Sequence, residues 1–193
     1  MILKRFKWKI IQMDKIYLIL IILMFQSSKI NSQNVEFDSS INAFIKELFI
    51  SNNYKFLTSK SKVVVGDKFL SPKIFFEYDG GQHVAKESID SLTQIINFLK
   101  QNSNHQICIE IHSDLRGFKE YNLAMTRRKA ENLFREIQKI SGNKTFRNVQ
   151  FKGIGGSYPI ITNNQINTLS KKYNSNQLHQ INDRIEIKII TRK

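Results

Sequence analysis

IEIHSDLRGFKEYNLAMTRRKA, residues 109–130, carries a change of periodicity that sets the architecture of this chain. Isoleucines at 107, 109 and 111 alternate with other residues, the period-2 signature of a strand. A polar loop follows, His112-Ser113-Asp114-Leu115-Arg116-Gly117. The period then lengthens: Leu123, Ala130, Leu133, Phe134 and Ile137 fall on one face of a helix expected from about Lys119 to Ile140, which Ser141-Gly142-Asn143 stops.

Outward from this unit, the same two periods repeat. Upstream, Lys73 to Asp79 alternates like a strand and Gly80-Gly81 breaks it. A helix with Val84, Ile89, Leu92, Ile95, Ile96 and Leu99 on its apolar face comes next, then a turn at Asn102 to His105 and the strand Gln106 to Ile111. Downstream, Val149 to Ile154 reads as a third strand ending in Gly155-Gly156. Ser157 to Gln180 is an Asn-rich polar loop, and Arg184 to Thr191 a last strand. Strands separated by helices pair in parallel through crossovers, whereas the long loop leaves the last strand's direction open. The expected fold class is α+β: a βαβαβ-β sandwich with a mixed four-stranded sheet and two main helices on one face. Ahead of it, residues 33–71 form a lead segment. Ile41, Phe44, Ile45, Leu48 and Phe49 make one apolar helix face, Asn52-Asn53 ends it, and Lys62 to Val65 is a candidate short strand closed by Gly66-Asp67. That face is expected to pack on the following domain, with docking of a partner protein at residues 38–50 as the alternative.

The central stretch resembles the core motif of the OmpA-like peptidoglycan-binding family, roughly H-[TS]-D-x-x-G-x-x-x-Y-N-x-x-[LM]-[ST]-x-x-R-A. His112, Ser113, Asp114, Gly117, Tyr121, Asn122, Met125, Thr126 and Ala130 match it, and Lys129 stands where the family has Arg. Phe76 with Asp79 resembles the family's first strand. Gly153-Ile154-Gly155-Gly156 with Pro159 is similar to its G-x-G-E-x-x-P turn, with Gly156 in place of the acid. Asn182-Asp183-Arg184-Ile185-Glu186 is similar to its N-R-R-[VI]-E strand start. The resemblance covers about Lys73 to Thr191 and implies the same sandwich for a domain at residues 72–193.

It also implies a ligand: the diaminopimelate of the peptidoglycan stem peptide, held noncovalently. That ligand end carries an ammonium and a carboxylate on one carbon, so a receptor needs an acid and a donor a few ångströms apart. The resemblance makes Asp114 the acid; read by itself, it is equally an Asx-turn residue. Lys129 falls at the donor position, keeping the charge but losing the planar fork of Arg, at a cost on the order of 1 kcal/mol. Arg116 and Arg128 are the candidates to compensate, although Arg128 is rotated about 100° from Lys129 on a helix. Ser113 adds a hydroxyl and Gly117 a sharp turn or a close approach. Asn122 is a helix cap or a tie to the loop, and Arg184 either closes the far side or forms a structural ion pair. His112 is expected to pack at the strand end, with no second ligand at metal-binding spacing. No metal and no cofactor is expected.

The N-terminus bounds the location. Basic residues precede Ile16 to Phe25, an apolar run of ten. That is short of the ~20 residues of a membrane span and within the range of a signal-peptide core. Residues 1–32 are therefore expected to be a signal peptide, and the protein periplasmic or associated with the outer membrane. No cysteine near the cleavage region offers a lipid attachment point. Cys108 is the only cysteine in the chain, which excludes an internal disulfide, and its place between isoleucines reads as packing. The net charge is +14, and the first 32 residues hold six Lys/Arg and one Asp, leaving +9 for the remainder. Such a charge favours anionic partners. Nucleic acid is not among those expected, because the signal peptide argues against it and no aromatic-basic interleaving occurs. An enzyme is not expected either, for want of a nucleophile-base pair, metal cluster or paired carboxylates. A flagellar stator subunit would need a carboxylate in its membrane span, which Ile16 to Phe25 lacks. The remaining rival is a structural subunit of an envelope complex whose wall binding is weakened or lost.

Overall fold

The computed structural model describes residues 39–57, 63–77, 83–142 and 146–192. The expected signal peptide and Asp79 to Gly81 lie outside the described residues. The elements are α1 (Ser39–Ser51), β1 (Tyr54–Phe56), β2 (Lys68–Leu70), α2 (Ile89–Gln101), β3 (His105–His112), α3 (Lys119–Ile140), β4 (Val149–Gly155), α4 (Asn163–Leu169), α5 (Ser175–Gln180) and β5 (Ile185–Arg192).

The strands form one mixed sheet in the order β1-β2-β5-β3-β4. β3 and β4 are parallel, as a crossover through α3 requires. β5 lies antiparallel between β2 and β3. The α+β architecture is the one read from the sequence, with five strands in place of four. The extra pair comes from the lead segment: β1 and β2 run parallel, and Phe69 of β2 faces Ile187 of β5. Residues 73–77, expected as the first strand, make only an isolated bridge between Phe76 and Val84. Ser71 N still donates to Ile185 O at 3.0 Å, but the next position on the partner strand, Asp183, is held in a turn by its own N–H bond to Gln180 O at 3.1 Å, and the chain leaves the sheet.

Strand alternation assigns the faces. Ile107, Ile109 and Ile111 of β3, Ile185, Ile187 and Ile189 of β5, and Phe69 point toward the two long helices. There they meet Leu92, Ile95, Ile96, Phe98 and Leu99 of α2 and Ala130, Leu133 and Ile137 of α3. Ile89, expected on the apolar face, is the first residue of α2 and is exposed at the helix end, and Phe98 is buried as well. A second core gathers Ile41, Phe49, Tyr54, Ile161, Ile166, Leu178 and Ile181. It buries the apolar face of α1, with Phe44 stacked on Tyr173 at 5.2 Å. The region read as a polar loop supplies part of this core through α4 and α5. Thr162 and Gln165 form a capping box for α4, and the Asn174 side chain accepts from Asn176 N and Gln177 N at the start of α5. Helices of 7 and 6 residues present too few apolar positions to show a period.

α3 lies directly on β4. A Cβ at Gly153 would fall on the backbone of Thr126 and Arg127, 2.5 Å from Arg127 Cα. Gly153→Ala is therefore expected to force α3 off the sheet. It should lower stability by about 3 kcal/mol, the upper end for overpacking, and a denaturant titration reads this directly. The control is Gly142→Ala at the end of α3, which meets nothing within 4 Å and carries only the strain of its positive φ.

Candidate functional site

The loop after β3 is built by the sheet and by α3 together. β3 and β4 slip register between Ile111 and His112, and Ser113 N then donates to Gly155 O at 3.0 Å as the chain lifts off. Asp114 is an Asx-turn residue and an ion-pair partner at once. Its Oδ1 accepts from Arg116 N at 2.9 Å, and its Oδ2 accepts from Arg116 Nε at 2.9 Å and Nη2 at 2.5 Å. Arg116 also donates through Nη1 to Asn176 Oδ1 at 3.1 Å, so α5 braces the loop from outside. Gly117 has φ +83°, and the nearest atom to a Cβ there would be 3.9 Å away. It serves the turn rather than a close approach.

Asn122 ties the loop and does not cap the helix. Its Nδ2 donates to Arg116 O at 2.8 Å and Asp114 O at 3.3 Å, whereas the residue at the cap position of α3 is Phe118, which makes no side-chain cap bond. Ser113 is buried and its hydroxyl turns back onto Asp114 O at 3.0 Å. Gly156, at the family's acid position, lies against the same loop. A Cβ there would come within 3.2 Å of Asp114 O.

Lys129 lies on α3, and its charge acts on Asp183. Its Nζ lies 5.1 Å from the Phe76 ring centroid, a cation–π distance. Arg128, one residue earlier, is exposed. The structure adds two charges that the sequence reading did not place here. Asp183 precedes β5, where Ile185 faces Ile111 and Arg184 O accepts from His112 N at 2.9 Å. Asp183 itself lies in the turn ahead of β5, where its N–H donates to Gln180 O at 3.1 Å. Desolvation pushes the Asp183 carboxyl upward even though the residue keeps solvent contact; Lys129 opposes the shift, Asp114 adds to it, and Lys73 and Arg116 oppose it. Lys73 is pulled below the usual ammonium range by burial, against the attraction of Asp183. Of these charges, Arg116 and Asp114 are in direct contact, and Lys129, Lys73, Asp114 and Arg116 all act on Asp183. The available signal was the departure at position 183 from the arginine of the strand-start motif.

Arg184 belongs to a different cluster, on the opposite face of β5. Its guanidinium pairs with Glu186, donates to Tyr158 O at 2.9 Å and Asn182 O at 3.1 Å, and lies beside Tyr54, whose hydroxyl also bonds Glu186. The structural ion pair is thus the role it takes. His112 is buried in the same cluster, with Nε2 3.5 Å from both Glu110 Oε2 and Glu186 Oε1. The sequence reading saw no ligands near His112, yet these three side chains lie at metal-ligand spacing. β-pairing brings them together from two strands, which linear spacing cannot show. The cationic positions are already taken: Lys188 Nζ stands 2.5 Å from Glu110 and 3.3 Å from Glu186, and Arg184 holds the other side.

This cluster should set the acid limit of the fold. His112 and Lys188 hold the Glu110 carboxyl down at about 2 against desolvation. Burial pushes Glu186 up, but Arg184, Tyr54, His112 and Lys188 together bring it below the ordinary range. Groups depressed in the folded state contribute stability that is present above their unfolded pKa, about 4.5, and lost as pH falls toward about 2. Chemical denaturation across that window should show the loss, and Glu110→Gln should flatten it. A slope unchanged by the substitution would show that other carboxylates carry the acid sensitivity.

Residues 75–174 match the model of the OmpA family, and the chain belongs to that family. It is similar to the peptidoglycan-associated lipoprotein of Buchnera aphidicola subsp. Baizongia pistaciae, at 28% identity over 160 residues, covering 81% of this chain and 87% of the relative. Among solved structures it is similar to the peptidoglycan-associated lipoprotein from Burkholderia pseudomallei (20% identity, TM-score 0.42, 61% of this chain and 86% of that one). It is also similar to the periplasmic domain of Helicobacter pylori MotB (16% identity, TM-score 0.46, 64% and 74%).

Proposed function

We propose that this protein is a non-catalytic module of the bacterial envelope that holds peptidoglycan noncovalently through the diaminopimelate of the stem peptide. What supports the reading is that Asp114 on the loop and Lys129 on α3, both in the family motif, act on one and the same carboxyl, Asp183. Asp114 and Asp183 supply negative charge for the ligand's ammonium. Lys129 supplies positive charge for its carboxylate, and the open N–H groups of the first turn of α3 favour an anion as well. Ser113, Gly117 and Asn122 shape and tie the loop. Arg128 lies on the outer rim, and Arg184 anchors β5 behind the site.

Arg116 covers Asp114 until a ligand displaces it. The arginine side chain is 50% exposed, and a pair of that kind is worth about 0–1 kcal/mol, so exchange for a ligand ammonium costs little. The wall lies outside the cytoplasmic membrane, which agrees with residues 1–32 as a signal peptide and with a periplasmic or outer-membrane-associated location. A second reading, a subunit of an envelope assembly with weak wall affinity, is favoured by one observation: Lys129 already interacts with Asp183. A partner docked at residues 38–50 would meet the polar side of α1 and Ile50, because the helix's apolar face is buried in the second core.

The test is sedimentation of the full chain with purified sacculi at two salt concentrations. Binding should survive moderate salt and fall about tenfold or more in Asp114→Ala, while Lys129→Arg should tighten it several-fold, on the order of 1 kcal/mol. Binding that ignores Asp114 and vanishes with salt would mean adhesion by net charge, and the assembly reading would replace this one.

A further inference from the structure

His112, at the end of β3, is 1% exposed, and neither nitrogen of its ring has a hydrogen-bond partner among the described residues. A buried imidazole in that state has lost its water without replacement. Its Nε2 is aimed at two carboxylates, 3.5 Å from Glu110 Oε2 and 3.5 Å from Glu186 Oε1. An N–H···O bond is shorter, about 2.7–3.2 Å. The separation is instead that of neighbouring ligands around an ion: a tetrahedral zinc with bonds of about 2.1 Å sets its donor atoms about 3.4 Å apart. One donor atom from each of the three side chains lies within 4.8 Å of the others, so small rotations of the carboxylates close the triangle. An imidazole nitrogen with two carboxylate oxygens suits a first-row ion such as zinc better than calcium or magnesium, which take oxygen ligands.

The resident cation is replaceable. Lys188 Nζ stands 2.5 Å from Glu110 Oε2 and 3.3 Å from Glu186 Oε2, on a flexible stem whose side chain is 27% exposed. Arg184 and Tyr54 hold Glu186 through its other oxygen, Oε1. They fix the carboxylate from behind, as outer partners of metal ligands do, and leave Oε2 toward the lysine. A cavity of about 220 Å³ opens beside the cluster, lined by Tyr54, His112, Tyr158, Arg184, Glu186 and Lys188 among others. It gives an ion a way in and room for a water as fourth ligand.

We propose that Glu110, His112 and Glu186 form a zinc site in which the ion takes the place of the Lys188 ammonium. The exchange replaces one positive charge by two. Two carboxylates, Arg184 and the ion then sum to one positive charge, so the affinity is moderate rather than that of a site with no resident cation. The ion would tie β3 to β5 where Glu110 faces Glu186, just before Ser113 leaves the sheet, which makes the site structural. The proposal does not rest on the peptidoglycan reading.

The experiment titrates the full, metal-freed chain with zinc against a chromophoric chelator and follows thermal unfolding in parallel. One equivalent should bind with a dissociation constant on the order of micromolar and raise the melting temperature, while magnesium in excess should do neither. His112→Gln should weaken zinc binding about tenfold or more. Lys188→Met, which keeps the stem and removes the competing charge, should tighten it about tenfold, and it answers the question if the His112 variant fails to fold. Binding that His112→Gln leaves unchanged would place the zinc on other groups and overturn the proposal. So would a Lys188→Met variant that binds no tighter, or zinc bound by that variant and not by the wild-type chain.

Discussion

The seating of α3 on β4 is the contact on which the rest depends. Gly153 lets the two backbones touch, and Thr126 joins them: its hydroxyl accepts from Gly155 N at 2.9 Å and donates to Asn122 O at 2.9 Å. Each such bond is worth only about 1 kcal/mol net, so their importance is positional. With α3 fixed against β4, both ends of the loop from Ser113 to Phe118 are fixed too: the first by the Ser113–Gly155 bond, the second by the helix itself. Asn122 then closes the loop onto the helix. Lys129 lies three residues beyond Thr126, on the adjoining helix surface, so its distance from Asp114 is set by the same contact.

Across β3 and β5, the other face of the sheet carries a charged cluster. Glu186 is 1% exposed and would be costly alone. Arg184, Tyr54 and Lys188 surround it, and burial with the Glu186 bond pushes the Tyr54 hydroxyl up to about 12, so it stays a donor through the physiological range. A buried network of this kind is weak grounds for claiming stability, since apolar side chains of similar volume often do as well. What it does is connect. Tyr54 belongs to the second core, Tyr158 leads toward α4, and Glu186 lies in the sheet, so Arg184 joins the α1–α4–α5 layer to β5 through directional bonds that an apolar contact would not impose.

The legible part of this chain is the part governed by local period. β3, α3, β4 and β5 carry enough alternation or helical repeat to fix their type and nearly their ends, and the bounds of α3 agree at both termini. The illegible part is where long-range pairing decides. Residues 73–77 alternate as well as any strand, but alternation says nothing of whether a partner is available, and β5 begins at Ile185, too late to pair with them. β1 and β2, three residues each, are too short to show a period and exist because β5 offers them an edge. At the site, Asp114 and Lys129 were readable because they share one motif. Asp183 and Lys73 were not, because each comes from a distant segment of the chain. His112 shows the same limit: its neighbours Glu110 and Glu186 are chosen by strand register, not by spacing along the chain.

A receptor for the proposed zwitterionic ligand must keep its own charges apart, or they satisfy each other. In this protein they are close. Asp114 is closed by Arg116, and Asp183 lies within the influence of Lys129 and Lys73. The site is thus pre-paired in the free protein, and a ligand must exchange charges rather than fill open ones. Exchange at a half-exposed pair costs little, because water screens both the pair that breaks and the one that forms. It also gains little, so no single contact supplies tight binding. Affinity for a wall must then come from repetition: a polymer presenting many identical stem peptides retains a protein that rebinds before it diffuses away, even when each contact is weak. The same chain offered one soluble stem peptide has no such advantage.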